Sequence, residues 1–401
     1  MPTDLGSLRS QSIADLVQTA RALNVENASS LRKPDLVAAI LREKGGAASS
    51  DGDGVLEILP DGFGFLRVPE YSFLPGQDDI YVSPSQIRRF NLRTGDLVSG
   101  QVRAPKENER YFALIKVERV NGLDPEQARD KVLFENLTPI WPRRRLALGD
   151  DVACRLVGRV APLGFGQRAL VLGPPRAGRT SLLRALATGI AGNNRGVTVI
   201  VSLLAERPEE VTEFEREVPG TLLATTFDEP DTRHVQVADM VIERAKRLVE
   251  HRKDVVVLVD SLTRLARAAH ATAAPGGREL AGGLEAGAVQ RVRRLFGAAR
   301  AVDEGGSLTV IAVLDADTGV AADAMLVAEL RAAANCELRL DAAVAERRVY
   351  PALDVARSGT LREEVLLGAD ELAEARAFRR ATGGSVEAAL QGLDKATAAG
   401  E

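Results

Sequence analysis

Nine consecutive residues, Gly173-Pro174-Pro175-Arg176-Ala177-Gly178-Arg179-Thr180-Ser181, carry the plainest chemistry in the chain. They follow an apolar run, Ala169–Leu172, and lead into a helical pattern from Ser181. This is the GxxxxGK[ST] spacing in a strand–loop–helix setting, with arginine in the lysine slot. Such a loop turns backbone N–H groups toward phosphate oxygens at a helix N-terminus. Thr180 is expected to hold Mg2+ through its hydroxyl, and Arg179 to reach the β- and γ-phosphates of ATP. A second apolar run, Val255–Val259, ends in Asp260-Ser261, which places a carboxylate for Mg2+ at the carboxyl edge of the same sheet. ATP and Mg2+ are therefore the expected cofactors.

A parallel sheet must position these groups, and the chain supplies one from about residue 150 onward. Ala169–Leu172, Val197–Val201, Val255–Val259 and Leu308–Val313 read as buried parallel strands alternating with helices, a doubly wound α/β domain. Between Val55 and Asn121 the pattern is different. Five short strands separated by turns (Val55–Leu59, Gly64–Val68, Asp79–Val82, Leu97–Val102 and Tyr111–Ile115) suggest an OB-fold barrel. Residues 7–44 hold two amphipathic helix patterns. One follows the capping box Ser12-Ile13-Ala14-Asp15 and the other begins at Pro34. Small residues from Gly45 to Gly54 read as a linker, and roughly the last 18 residues as a weakly helical, frayed tail. The expected fold is multidomain, α+β then α/β. It comprises an N-terminal helical domain (1–45), an OB-fold domain (55–125) and a P-loop α/β domain (126–401), which the family resemblance given below implies to be a RecA-like ATPase.

Composition narrows the function classes. The chain has 401 residues with 52 basic against 56 acidic side chains, a formal charge of −4, so no uniformly basic coat is present. No apolar run is long enough to span a membrane, and no basic flank precedes an apolar leader. Two distant cysteines and three histidines give no zinc spacing, which suits a cytoplasmic, reducing setting. Only eight of the 52 cations are lysine, a bias that bears on Arg179.

Longer motifs resemble the bacterial transcription termination factor Rho family. In the α/β part they are Glu206-Arg207-Pro208-Glu209-Glu210-Val211-Thr212, Phe227-Asp228-Glu229-Pro230 and Arg233-His234-Val235-Gln236-Val237-Ala238. Asp260-Ser261-Leu262-Thr263-Arg264-Leu265-Ala266-Arg267, Phe296-Gly297-Ala298-Ala299-Arg300 and Arg357-Ser358-Gly359-Thr360 belong with them. In the barrel they are Gly62-Phe63-Gly64-Phe65-Leu66-Arg67 and the run Ile80–Phe90. The resemblance implies a ring-shaped, usually hexameric ATPase that moves along RNA. It implies that Glu206 polarises the attacking water, Arg264 supports the γ-phosphate region, and Arg357 acts across a subunit interface as an arginine finger. It also implies a primary RNA site of Phe63, Phe65, Tyr81, Tyr111 and Arg67, with Asp79, Glu109 and Arg110 contacting base edges and backbone. Flat rings stack unpaired bases, and Ser85–Arg119 carries eight basic against four acidic residues.

The chain departs from the family pattern at several places. Arg176 and Arg179 stand where the family has lysine, and Ala205 replaces the aspartate before Glu206. The loop from Arg278 to Leu284 matches one of the family's two central-pore RNA loops, and Arg278 is its cation. The second pore loop normally reads DTGSK; here it is Asp317-Thr318-Gly319-Val320-Ala321, followed by Ala332-Ala333-Ala334-Asn335 in place of GTGN. The expectation is that loop glycines and a cation for phosphate have been lost; the alternative is that a neighbouring cation, Arg331, compensates. Two readings follow. One is an RNA-dependent ATPase and helicase that releases transcripts, with cytidine-rich single-stranded RNA and the RNA polymerase elongation complex as partners. The other is a paralogue with a weakened motor that binds RNA and nucleotide and enters mixed hexamers with an ordinary Rho.

Overall fold

The computed structural model describes residues 8, 11–25, 27–29, 31, 36–37, 39–40, 43, 50–76, 78–106, 109–280 and 282–398. The chain packs as two units that divide between Val132 and Leu133. Among the described residues no helix is long and apolar enough to cross a membrane.

In the first unit α1 (Ile13–Ala22) starts at the expected cap: the Ser12 hydroxyl accepts the Asp15 N–H at 3.2 Å. The helix expected from Pro34 begins outside the described residues. Strands β1 (Ser50–Ile58), β2 (Gly64–Arg67), β3 (Ile80–Val82), β4 (Leu97–Arg103) and β5 (Phe112–Val120) close into a barrel in the order β1-β2-β3-β5-β4. One core runs through both parts, with Leu16 and Ala20 packed in the same cluster as Leu56, Ile80 and Val98. The helical segment and the barrel therefore share a core.

The linker expected at Gly45–Gly54 is corrected in its second half, because Ser50–Gly54 forms the start of β1 and pairs with β4. The glycines there serve packing. A Cβ on Gly54 would fall 2.8 Å from Leu66 Cβ, and one on Gly52 3.0 Å from Ile80 Cδ1. Behind the barrel, α2 (Pro84–Arg89) carries a full capping box from Ser83 and Gln86. After α3 (Pro125–Arg129), Lys131 reaches the buried carboxylate of Asp96 at 2.8 Å, and Asn121 and the Arg93 N–H complete its shell.

The second unit is a mostly parallel sheet wrapped by helices. Its elements are β6 (Pro139–Ile140), α4 (Val152–Val160), β7 (Arg168–Gly173), α5 (Arg179–Asn193), β8 (Thr198–Glu206), α6 (Pro208–Glu217), β9 (Thr221–Thr226) and α7 (Asp231–Glu250). They continue with β10 (Asp254–Asp260), α8 (Leu262–Ala271), α9 (Ala286–Gly297), β11 (Arg300–Val302), β12 (Ser307–Asp315), α10 (Ala321–Arg331), β13 (Cys336–Arg339) and α11 (Ala342–Glu346). The last are β14 (Gly359–Thr360), α12 (Ala369–Thr382) and α13 (Val386–Ala398). The strand order is β14-β13-β7-β12-β10-β8-β9, with β11 and β6 attached beside β12. Val255–Val259 of β10 are fully buried between parallel neighbours β8 and β12, as their unbroken apolar run predicts.

The frayed tail is corrected: α13 is an ordered helix through Ala398, and its Val386, Ala389 and Leu393 are buried in the core of this unit. Those positions share one helical face, so packing supplies the stability that the small residues lack.

Gly189 lies inside α5, where alanine ordinarily stabilises a helix by about 1 kcal/mol. Here a Cβ would sit 1.9 Å from the Leu148 carbonyl oxygen and 3.1 Å from Cys154 Sγ. Gly189→Ala is therefore expected to destabilise the protein by roughly 1–3 kcal/mol through overpacking. Chemical denaturation checks this; a stabilised variant would contradict the close approach of α5 to Leu148.

Candidate functional site

The carboxyl edges of β7, β8, β10 and β12 gather the nucleotide chemistry of the second unit. β7 ends at Gly173, and the loop returns to α5 through Gly178, whose φ of 86° lies in the left-handed region that glycine enters without strain. The first turn of α5 thus points its free N–H groups into the loop. Thr180 Oγ1 donates to Asp260 Oδ2 at 2.8 Å. That contact joins two residues 80 positions apart in the sequence. Burial pushes the Asp260 carboxyl up to about 6 against the pull of Arg264, and neighbouring Glu206 adds to the rise. A cation beside it would relieve that cost.

Glu206 closes β8 and is buried; Arg264, one turn into α8, forms an ion pair with it and lies 3.9 Å from Asp260. Arg264 thereby fixes the carboxylate at the mouth of the loop. Ala205 before it has φ 50°, and its N–H reaches Thr225 Oγ1, which also meets the buried His234 Nδ1 at 2.8 Å. Desolvation holds that imidazole below its usual pKa and favours the neutral ring. Arg179 turns back on its own loop: Nη1 donates to the Gly173 carbonyl at 3.0 Å and pairs with Asp315 at the end of β12. Arg176 occupies a left-handed turn with φ 67°.

Arg357 lies apart from this group and is half exposed. Its Nε donates to Asp354 Oδ2 at 2.6 Å, and Asp354 Oδ1 accepts the Arg357 N–H at 2.9 Å. Its Nη2 also lies 3.9 Å from Asp317 Oδ2. Two residues escaped the sequence reading. Asp315 lies two residues past the expected strand Leu308–Val313, at the end of β12. Tyr350 is half exposed, and its ring lies 3.4 Å from where a Gly178 Cβ would stand, so a flat face borders the phosphate loop.

The pore-loop segments meet. Leu280 and Leu284 close a tight turn through Gly282 and Gly283, and a Cβ on Gly282 would fall 3.0 Å from the Ala321 carbonyl oxygen. Arg278 is exposed beside this turn. Arg331 does not compensate for Ala321: it ends α10, about 15 Å along the helix axis, and is paired with Glu337 at 2.8 Å. Asn335 of the altered run is buried. Its Oδ1 accepts from Gln167 and from the Arg168 N–H, both at 2.8 Å, which holds β13 against β7.

In the first unit the four expected aromatics form one face of the barrel. Phe65 on β2 pairs across the ladder with Tyr81 on β3, and Phe63 and Tyr111 flank them. Ring centroids lie 4.8 Å apart for Phe65–Tyr111, 5.7 Å for Phe63–Tyr81 and 5.8 Å for Phe63–Phe65. Phe65 is buried, while the other three rings remain partly open. Arg67 sits 5.0 Å over the Phe65 ring and is buried between Glu57 and Asp79. Asp79 also accepts the Gly76 N–H at 2.7 Å. Arg67 and Asp79 stand two residues along the chain from Phe65 and Tyr81, on the same side of the sheet, so these two charges brace the aromatic face from its edge. Glu109 is tied to Arg103, which holds its carboxyl down at about 2, and Arg110 is exposed.

The comparisons agree with this layout. Residues 7–46 match the Rho termination factor N-terminal domain, 52–126 the Rho termination factor RNA-binding domain, and 153–360 the nucleotide-binding domain of the ATP synthase alpha/beta family. The transcription termination factor Rho of Chromobacterium violaceum is 50% identical over 375 residues, covering 92% of this chain and 90% of that protein. Its counterpart from Pseudomonas aeruginosa is 52% identical over 377 residues with the same coverage. The chain belongs to the transcription termination factor Rho family. It is accordingly an RNA-dependent ATPase of transcription termination, with an OB-like RNA-binding barrel and a RecA-like nucleotide-binding domain. Among solved structures, a type III secretion system ATPase of pathogenic bacteria superimposes with TM-score 0.55 at 23% identity over 61% of this chain and 70% of its own. The assembled ATPase EscN of enteropathogenic E. coli gives 0.52 at 22% identity over 62% and 60%. Both share the fold of the second unit's core.

Replacing Tyr81 by alanine is expected to weaken single-stranded RNA binding roughly 5- to 150-fold, the range of one lost stack. Phe65→Ala should weaken it as well and also lower the melting temperature, because that ring is buried. Fluorescence anisotropy with a short cytidine-rich RNA, read beside a thermal melt, separates the two effects.

Proposed function

We propose that this Rho-family chain couples ATP hydrolysis at the Thr180–Asp260–Glu206 cluster to movement on cytidine-rich RNA. The reading places it in a hexameric ring, homomeric or mixed, acting on the RNA polymerase elongation complex in the cytoplasm. The observation that carries it is the Thr180–Asp260 hydrogen bond of 2.8 Å beneath the Glu206–Arg264 pair, with the phosphate loop above both. Thr180 and Asp260 fit Mg2+, which when bound supplies charge neutralisation of the β- and γ-phosphate oxygens. Loop N–H groups from Gly173 to Ser181 hold the phosphates, and Arg179 neutralises them. Glu206 orients the attacking water, Arg264 keeps its carboxylate aimed, and Tyr350 offers a face for the nucleobase. Arg357, held ready by Asp354, reaches a neighbouring subunit's γ-phosphate. Phe63, Phe65, Tyr81 and Tyr111 take unpaired bases, with Arg67, Asp79, Glu109 and Arg110 around them, while Arg278 meets RNA at the second site.

A second reading, in which the chain binds RNA and nucleotide but scarcely translocates and modulates an ordinary Rho, draws support from the second pore loop. Val320 is half exposed where a polar residue is usual, and the nearby Arg331 is turned to Glu337.

ATP hydrolysis by the purified chain, with and without cytidine-rich RNA, decides between them. Strong stimulation by RNA supports the motor; retained RNA binding without turnover supports the modulator. Glu206→Gln should lower turnover at least about 100-fold while nucleotide still binds. Arg179→Lys should raise turnover about tenfold, because the compact ammonium fits the β/γ position better than the wide guanidinium. No gain in that variant would remove arginine bulk as an impediment.

A further inference from the structure

Asp315 has no part in the chemistry described so far, yet it occupies the centre of the nucleotide site's charge. It ends β12 in register with Gly173, the first residue of the phosphate loop, and the Gly173 carbonyl accepts both the Ala316 N–H at 3.1 Å and Arg179 Nη1 at 3.0 Å. The Asp315 N–H donates to the buried Thr263 hydroxyl at 2.8 Å, so its backbone is fixed from below. Its two carboxylate oxygens face different cations: Oδ1 meets Arg179, and Oδ2 lies 4.0 Å from Arg267 Nη2. Arg267 in turn holds Asp323 in the first turn of α10, at 2.8 and 3.0 Å. Asp323 Oδ2 also accepts the Thr318 hydroxyl at 2.8 Å, and that hydroxyl caps the Val320 N–H at 3.2 Å. An alternation of charges thus runs from the phosphate loop to the turn 317–320.

We propose that Asp315 is a nucleotide-displaced counter-anion: it pairs with Arg179 until phosphate takes that cation, and it then turns to Arg267 and loosens the Asp323–Thr318 clasp on the second pore loop. Phosphate and carboxylate seek the same guanidinium, and a phosphate bound there repels the carboxylate it replaces. The other cation facing Asp315 is Arg267, which already holds Asp323, so the two carboxylates then compete for it. The phosphate site and the RNA-facing loop are in this way two ends of one chain of charges. The inference rests on the phosphate-site assignment above and adds a residue that sets nucleotide affinity and its effect on RNA.

Removing the charge without changing the shape tests it. Full-length Asp315→Asn is expected to bind a fluorescent ADP analogue with Mg2+ about tenfold more tightly than the parent, the scale of one charge-assisted contact no longer in competition. The parent's affinity for cytidine-rich RNA should change when nucleotide is added, and the variant's should not. Arg267→Gln leaves both carboxylates in place and should remove the same RNA response, which guards against a folding defect confined to position 315. Unchanged or weaker nucleotide binding by Asp315→Asn overturns the competition, and a retained RNA response in both variants overturns the relay. If Thr180→Ala also fails to weaken nucleotide binding, the phosphate-site assignment falls, and this inference with it. If only Asp315→Asn is silent, the site stands and Asp315 is structural.

Discussion

Three carboxylates, Glu206, Asp260 and Asp315, end adjacent or nearby strands of one parallel sheet, each largely withdrawn from water. Negative charge there is costly unless cations and hydrogen bonds answer it. The second unit answers with arginines placed by helices that start at the same edge: Arg264 and Arg267 on α8, Arg179 on α5. An incoming triphosphate must therefore rearrange charge pairs already made. Arg179 makes that point directly, since one of its nitrogens, Nη1, serves both the Gly173 carbonyl and the Asp315 carboxylate.

The barrel meets the same constraint by a different route. Arg67 is enclosed by Glu57 and Asp79, so a positive charge lies beside the aromatic face, on the same side of the sheet, without competing for solvent. The family resemblance singled out Arg67 and Asp79 as RNA contacts, and the fold adds that each is the other's support. A residue can be tied to ligand binding and to the integrity of the surface at once, and sequence alone does not separate the two.

Much of the architecture could be read directly from patterns. The five barrel strands and the four central strands of the sheet stood out because unbroken or alternating apolar runs mark them. The phosphate loop and Asp260 followed from spacing. β9 and β13 did not stand out: Thr221–Thr226 mixes threonine with apolar residues, and Cys336–Arg339 is only four residues long beside an alanine-rich segment. Ser50–Gly54 read as a linker because glycine marks flexibility in isolation, whereas here it lets strands approach. α13 was hidden by small residues, although Val386, Ala389 and Leu393 already carried the helical interval. Asp315 and Tyr350 escaped because their importance lies in what the fold brings beside them.

The four rings of the barrel touch in a connected set, with Phe65 at its centre against Phe63, Tyr81 and Tyr111. Such a set is one platform, not four. Removing a ring changes the tilt and exposure of its neighbours, so energies assigned to individual rings will not sum to the whole. What the surface presents is then a faceted relief, with Phe65 edge-on to its three neighbours and the facets held in place by β2 and β3. Selectivity for one base over another would arise from how those facets tilt together, not from any ring alone.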